Sequence, residues 1–408
     1  MKMSLNYKVK EFLLIFSTLI TFSFLTACTQ KSVNSTSTLL IHAKYLFDGY
    51  KLHSDTSLLI SNGKIEKVAP RNEFSSFNSK TIDLGNSTLL PGFIELHAHL
   101  TYRKVPQDIV LQHGITTLRD VAGPIHKTYG GNGQLRILTT GPLLTAPNGY
   151  PIPSMGRSSS VIEIQSEDHA RKIVHQLATQ GATIIKVALE PGGEKGAPWS
   201  SPQHSHKQHK KQNHHYSSST HKWPLLSEDI VKAITDEAHK LNIKVTAHIG
   251  EKQGAKIALN AQIDEWAHMP CSALPDNLLA QAVKQQVTII GTLDTLSKCS
   301  GISHNTYKLA KLGAKLLYGA EVAHPDIPWG IDAQELMYMQ HMAHMTTLEV
   351  LQSATSKSGK YLGIPLLGTL KPGAPADIIA INGAIKGNLK ALEYPSLVIS
   401  GGHIIKYK

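Results

Sequence analysis

Two histidines one residue apart, His97 and His99, close the apolar run LLPGFIELHAHL at Leu89–Leu100. Along a β-strand residues i and i+2 share a face, so two imidazoles can meet one metal ion there, and imidazole suits zinc and its neighbours. Surface strands also carry such pairs by chance. The pair gains its weight from further donors at barrel-like intervals along the chain. Lys186 closes ATIIKV, His248 closes KVTAHI, His268 closes DEWAHM, and a carboxylate, Glu321, closes KLLYGAE. Each group ends a short apolar strand-like run, and together they look like the donor set of a metal-dependent hydrolase. His113, His126, His169, His239, His341 and His344 fall on helix-like stretches and are expected to be structural or surface residues.

Those donors need a scaffold that gathers strand ends. From Thr88 onward apolar strands alternate with helical patterns, the sign of βα units and a parallel sheet. Eight strands are expected to end near His97, Arg119, Gly141, Val187, His248, His268, Leu293 and Gly319, with helices over Ser166–Gln180, Ser227–Leu241 and Asp276–Gln285. Chemistry collected at strand C-termini describes an α/β fold, a (β/α)8 TIM barrel. Before it, LLIHAKYLF, SLLI and KIEKVA read as strands, the last two joined at Asn62-Gly63. After it come ADIIAI, SLVIS and HIIKY. The two chain ends are therefore expected to pair in a small β-sandwich domain, 39–88 with 366–408, beside a barrel over 89–365.

PGFIELHAH, the lysine, the two single histidines and the tail LGTLKPGAPADIIAI together resemble the amidohydrolase superfamily, and within it the imidazolonepropionase-like and prolidase-like hydrolases. The resemblance runs from about Leu39 to the C-terminus. It departs at one place, where Gly319-Ala320-Glu321 stands for the family's usual Gly-Thr-Asp. It implies two divalent metal ions, zinc by preference. His97 and His99 with Glu321 would hold the more buried ion, and His248 and His268 the more exposed one. Lys186 would bridge them after CO₂ has turned it into a carbamate, since a free ammonium has no lone pair to offer. Glu321 would also be the catalytic proton acceptor. Tyr150, His324 and Asp326 lie in neighbouring strand-end loops and are candidates to touch substrate. The implied reaction is hydrolysis of an amide bond in a dipeptide, N-acyl amino acid or cyclic amide. A mononuclear deaminase of the same superfamily would not use Lys186. A non-catalytic zinc-binding lipoprotein is the alternative outside enzymology.

The termini and one insertion carry other expectations. Lys2, Lys8 and Lys10 precede an apolar stretch, Phe12–Phe24, and Leu25-Thr26-Ala27-Cys28 resembles a bacterial lipobox. Residues 1–27 read as a signal peptide, Cys28 as the lipidated residue and 28–38 as a tether. The expected location is the cell envelope, anchored by lipid to the periplasmic face of the outer membrane. In that oxidising compartment Cys271 and Cys299, in adjacent loops, could form a disulfide. The net charge of +11 falls to +9 without residues 1–27, and four lysines between Trp199 and Trp223 account for four more charges. The fold itself is only mildly basic, which argues against nucleic acid as a partner. Self-association stays open. Residues 198–222 hold six of the 22 histidines in a polar, low-complexity insert, readable as a metal-gathering tract or as a tolerated loop.

Overall fold

The computed structural model describes residues 38–76, 80–200 and 222–408. The expected signal peptide, Cys28 and most of the His-rich insert therefore lie outside the described residues. No described helix is long and apolar enough to cross a membrane.

Eight core strands run Phe93–Ala98, Ile115–Asp120, Arg136–Thr139, Ile184–Leu189, Lys244–Ile249, Glu265–Trp266, Thr288–Ile290 and Lys315–Leu317. All their pairings are parallel. The first three form one sheet, and the last five, with Leu143–Thr145 and Val161–Glu163, form another. Two contacts approach across the seams. Thr183 N donates to Thr139 O at 2.9 Å, and Ala98 bridges Val322 in parallel while His99 N donates to Val322 O at 2.9 Å. The molecule is thus a mixed α/β fold with parallel sheets, in which the third strand adjoins the start of the fourth and the end of the first adjoins the segment that follows the eighth.

Helices between the strands start where the sequence places caps. Ser166 accepts from His169 N ahead of Glu167–Gln180, and Ser227 accepts from Ile230 N ahead of Glu228–Lys240. Each serine satisfies an amide that the first turn leaves without a partner. Val174 and Leu177, and Val231, Ile234 and Ala238, form the buried stripes facing the sheets. One histidine expected on a helix departs from that reading: His126 lies in an irregular segment, with no helix around it.

Both chain ends join in a separate sheet. His403–Tyr407, Leu397–Ser400, Ile378–Asn382, Ser87–Pro91, Leu39–Phe47, Leu52–Ser61 and Lys64–Pro70 are neighbours in that order, and Lys80–Asp83 pairs with Leu39–Phe47. By hydrogen bonding this is one eight-stranded sheet, not the two stacked sheets of a full sandwich. Its alternating apolar residues from both ends, among them Ile41, Ile60, Leu89, Ile378 and Ile399, still pack into one core. The hairpin at Asn62-Gly63 has both residues at positive φ, 50° and 74°, as a type I′ turn requires.

Candidate metal centre

Every donor named from the sequence except Lys186, which rises from mid-strand, sits at or just past the C-terminal end of a core strand. His97 is on the first, Lys186 on the fourth and His248 on the fifth, while His268 and Glu321 follow the sixth and eighth. The side-chain donors of His97, His268 and Glu321 lie within 4.8 Å of one another. His99 Nε2 is 3.5 Å from Glu321 Oε1, and His268 Nδ1 is 3.9 Å from Glu321 Oε2. Lys186 Nζ is 3.2 Å from His97 Nε2. The His248 and His268 rings meet edge to face, with centroids 4.7 Å apart. All six residues converge on one place.

Burial sets the protonation of this cluster. It drives the imidazoles of His97 and His268 well below the ordinary range and brings His248 down to about 3, with the Lys186 cation adding to the effect at His97 and His248. Neutral imidazoles have the lone pairs that a metal needs. Burial also brings Lys186 down to about 7, although Glu321 opposes it, and a neutral amine is the form that can add CO₂. At Glu321 burial works upward, but the imidazoles of His268 and His99 win and hold the carboxyl far below its usual range. A carboxylate beside the neutral imidazoles of His97, His248 and His268 and an amine that deprotonates easily is a donor set suited to divalent metal.

The scaffold fixes these side chains from behind. His97 Nδ1 donates to Ala267 O at 2.9 Å, which turns Nε2 and its lone pair toward the cluster. Glu95 accepts from His97 N at 2.6 Å and from Ala320 N at 2.9 Å, tying the first strand to the segment that carries Glu321. Arg119, fully buried, donates to Leu96 O at 2.8 Å and to Glu265 at 2.7 Å. Glu321 itself has φ of 64° and Ala323 of 91°, a left-handed conformation that ordinary residues avoid. The backbone is bent there, and the longer glutamate reaches the histidines.

The opening above the cluster is lined by Arg103, Tyr150, Met155, Trp199, Ala323 and His324, with His99, Lys186, His248, His268 and Glu321 at its floor. Tyr150 stacks on His248 with centroids 4.5 Å apart, and Trp199 meets the same ring edge-on at 4.5 Å. Asp326 is exposed and lines no part of the opening. Cys271 and Cys299 are disulfide-bonded, with Cα atoms 4.9 Å apart, and Cys271 Sγ lies 3.8 Å from Lys195 O in the loop after the fourth strand.

That loop holds two carboxyls that the sequence reading missed. Glu190 is fully buried beside His248, its Oε2 3.4 Å from Nε2. Glu194 lies next to it and accepts from Trp199 Nε1 at 3.1 Å. Burial pushes Glu190 up to about 7, and burial together with the neighbouring carboxyl pushes Glu194 up to about 8. A signal was present for Glu190, because Lys186 and Glu190 share a strand face at i and i+4, as Glu95 shares one with His97 and His99.

The family model for the amidohydrolase family matches residues 88–405. In sequence the chain is 26% identical over 199 residues to the uncharacterised Rv2915c of Mycobacterium tuberculosis, and 26% over 203 residues to ochratoxinase of Aspergillus niger. Each match covers 44% of this chain, with 52% and 42% of the respective relative, so the chain spans about half the length of the curated relatives it matches. Among solved structures it is similar to a Xaa-Pro dipeptidase with methionine bound in its active site (TM-score 0.71, 20% identity, 90% of this chain and 99% of that one). It is also similar to A. niger ochratoxinase (TM-score 0.69, 19% identity, 91% and 96%). With more than three quarters of its length matched, this chain belongs to the amidohydrolase family.

Proposed function

We propose that the chain hydrolyses the amide bond of a small molecule at a binuclear metal centre, and that the two parallel sheets are arcs of one (β/α)8 barrel. The observation carrying this reading is the convergence of four histidines, a buried lysine and an anionic glutamate from five strand ends. His97, His99 and Glu321 would hold one ion and His248 and His268 the other, with Lys186, carboxylated by CO₂, between them. Zinc suits this donor set. Divalent ions held there acidify water and polarise a scissile carbonyl.

The chain's own groups supply the rest. Glu321, kept ionised by its imidazole neighbours, would take a proton from the attacking water and return it to the leaving amine. Tyr150, Met155 and Trp199 offer apolar contact to a substrate side chain, and Arg103 offers a cation to a carboxylate. A dipeptide or N-acyl amino acid has both features. The structural likeness to a Xaa-Pro dipeptidase and to ochratoxinase supports that substrate class. Lipid anchoring through Cys28 in the cell envelope belongs to the same reading, and Cys28→Ser should move the protein out of the membrane fraction.

The test is metal analysis combined with amine release from a library of dipeptides and N-acyl amino acids. Two bound ions with amine release are expected. Stoichiometric metal with no turnover of any substrate would leave a metal-binding lipoprotein instead. One ion, with ammonia released from an amino-substituted ring, would indicate a deaminase.

A further inference from the structure

A buried carboxylate needs a proton, a cation or several N–H donors, because isolation from water disfavours its charge. Gly192 N donates to Glu190 Oε1 at 2.7 Å, and Glu194 and Trp199 lie beside the same carboxyl. Glu190 Oε2 and the Nε2 of His248 have no hydrogen-bond partner among the described residues, yet they lie 3.4 Å apart. The placement is built into the fold. Ala188 is the register partner of His248, so Glu190, two residues further on the same face, comes to lie over the imidazole. A Cβ on Gly250 would stand 2.2 Å from Glu190 Oε2. Glycine there leaves the room that the carboxylate fills.

We infer that Glu190 is a positioning residue for His248: its Oε2 accepts the Nε2 proton, so that Nδ1 carries the lone pair that binds the outer metal ion. The inference rests on the binuclear metal-centre reading. It matches the general pattern in which a metal-bound histidine gives its other N–H to a carboxylate or carbonyl, which fixes the tautomer and raises the ring's basicity. The same device holds His97 in the opposite tautomer, where Nδ1 donates to Ala267 O. The two halves of the centre would then use different ring nitrogens, each set by its own acceptor.

Two measurements decide it. In metal-free protein labelled with ¹⁵N-histidine, His248, assigned by its loss in His248→Asn, should be the Nε2–H tautomer. This readout does not depend on how many ions bind, and an Nδ1–H tautomer would overturn the inference even if the binuclear reading stood. In the zinc-loaded protein, chelator competition on Glu190→Gln should show the weaker-bound ion loosened about 10- to 100-fold, with the tighter one unchanged. In a His248→Ala background the Glu190→Gln change should add nothing. An added loss there would make Glu190 act on its own and overturn the inference, as would unchanged or equally weakened affinities for both ions. A wild-type protein holding a single ion would defeat the binuclear reading and leave the tautomer to decide this one.

Discussion

The inner and outer halves of the proposed centre are built on different principles. The surroundings of His97 and Glu321 are tied by backbone groups at or just past strand ends: Glu95 ties the first strand to Ala320, Ala267 O orients His97, and Lys186 rises from the middle of a strand. His248 also sits on a strand, but its surroundings are loop. Tyr150, Trp199 and Glu190 all come from segments outside regular structure or from short turns. Backbone hydrogen bonds at and just past strand ends fix the inner half, whereas the outer half depends on packing among side chains. Chemistry that must not move is placed on strands, and selectivity is left to loops.

The largest effects should come from breaking the inner half. Lys186→Ala should lower turnover by orders of magnitude, and a short-chain carboxylic acid should restore part of it by standing in for the carbamate. Glu321→Gln should nearly abolish turnover, because it removes the proton acceptor while keeping shape. Glu321→Asp should cost about 10²-fold, as a carboxylate drawn back by near 1 Å does, since the left-handed backbone at 321 is fitted to the longer side chain. Steady-state kinetics at saturating zinc would check all three. Higher turnover in Glu321→Asp would mean that glutamate marks decay from a working ancestor.

This division also explains what can be read from sequence. ELHAH and KVTAHI show their function because strand alternation fixes which side chains meet, and Ser166 and Ser227 show helix starts because capping is local. The pairing of both chain ends is legible from two hairpin signals. That the strands join edge to edge in one sheet is not, because it depends on long-range register. Glu190 escapes notice because EPGG reads as a turn, and nothing local tells that Gly250 clears a space for its carboxylate. His126 reads as helical because a few apolar neighbours imitate a helical face.

The disulfide sharpens the comparison at the level of stability. It closes a 28-residue separation, for which chain-entropy reasoning gives about 3–4 kcal/mol. It also touches the loop that carries Glu194 and Trp199, through Lys195 O. Replacing both cysteines by serine should lower unfolding free energy by that amount in urea titration and raise KM more than it lowers kcat. Equal losses in both would tie the bridge to the inner half.

Acid should act on the buried imidazoles of both halves, with a smaller effect. Burial, with the Lys186 cation, holds folded His248 near 3, while in the unfolded chain it takes a proton near its ordinary 6.5. Between those values the unfolded state binds more protons, so metal-free protein should lose stability as pH falls through that window and be indifferent above it. Urea midpoints at pH 7 and pH 5 should differ less in His248→Asn than in the wild type. An identical drop would place the acid sensitivity elsewhere.

The smallest effect expected is at Tyr150. Its ring lies nearly parallel to His248 at 4.5 Å and to Trp223 at 5.7 Å, which places it as a wall of the opening and a brace for one metal-binding ring. Aromatic pairs of this kind contribute about 0.5–1.5 kcal/mol beyond area buried. Tyr150→Phe keeps the stack and should leave outer-ion affinity unchanged. Tyr150→Ala removes it and should weaken that ion by about 2- to 12-fold, the same energy expressed as affinity, while the inner ion stays put. KM should rise in Tyr150→Ala whichever substrate is used, because the wall is lost along with the brace. A KM change in Tyr150→Phe as large as that in Tyr150→Ala would show instead that the hydroxyl, not the ring, meets the substrate. The outer half would then hold a polar contact as well as apolar cover.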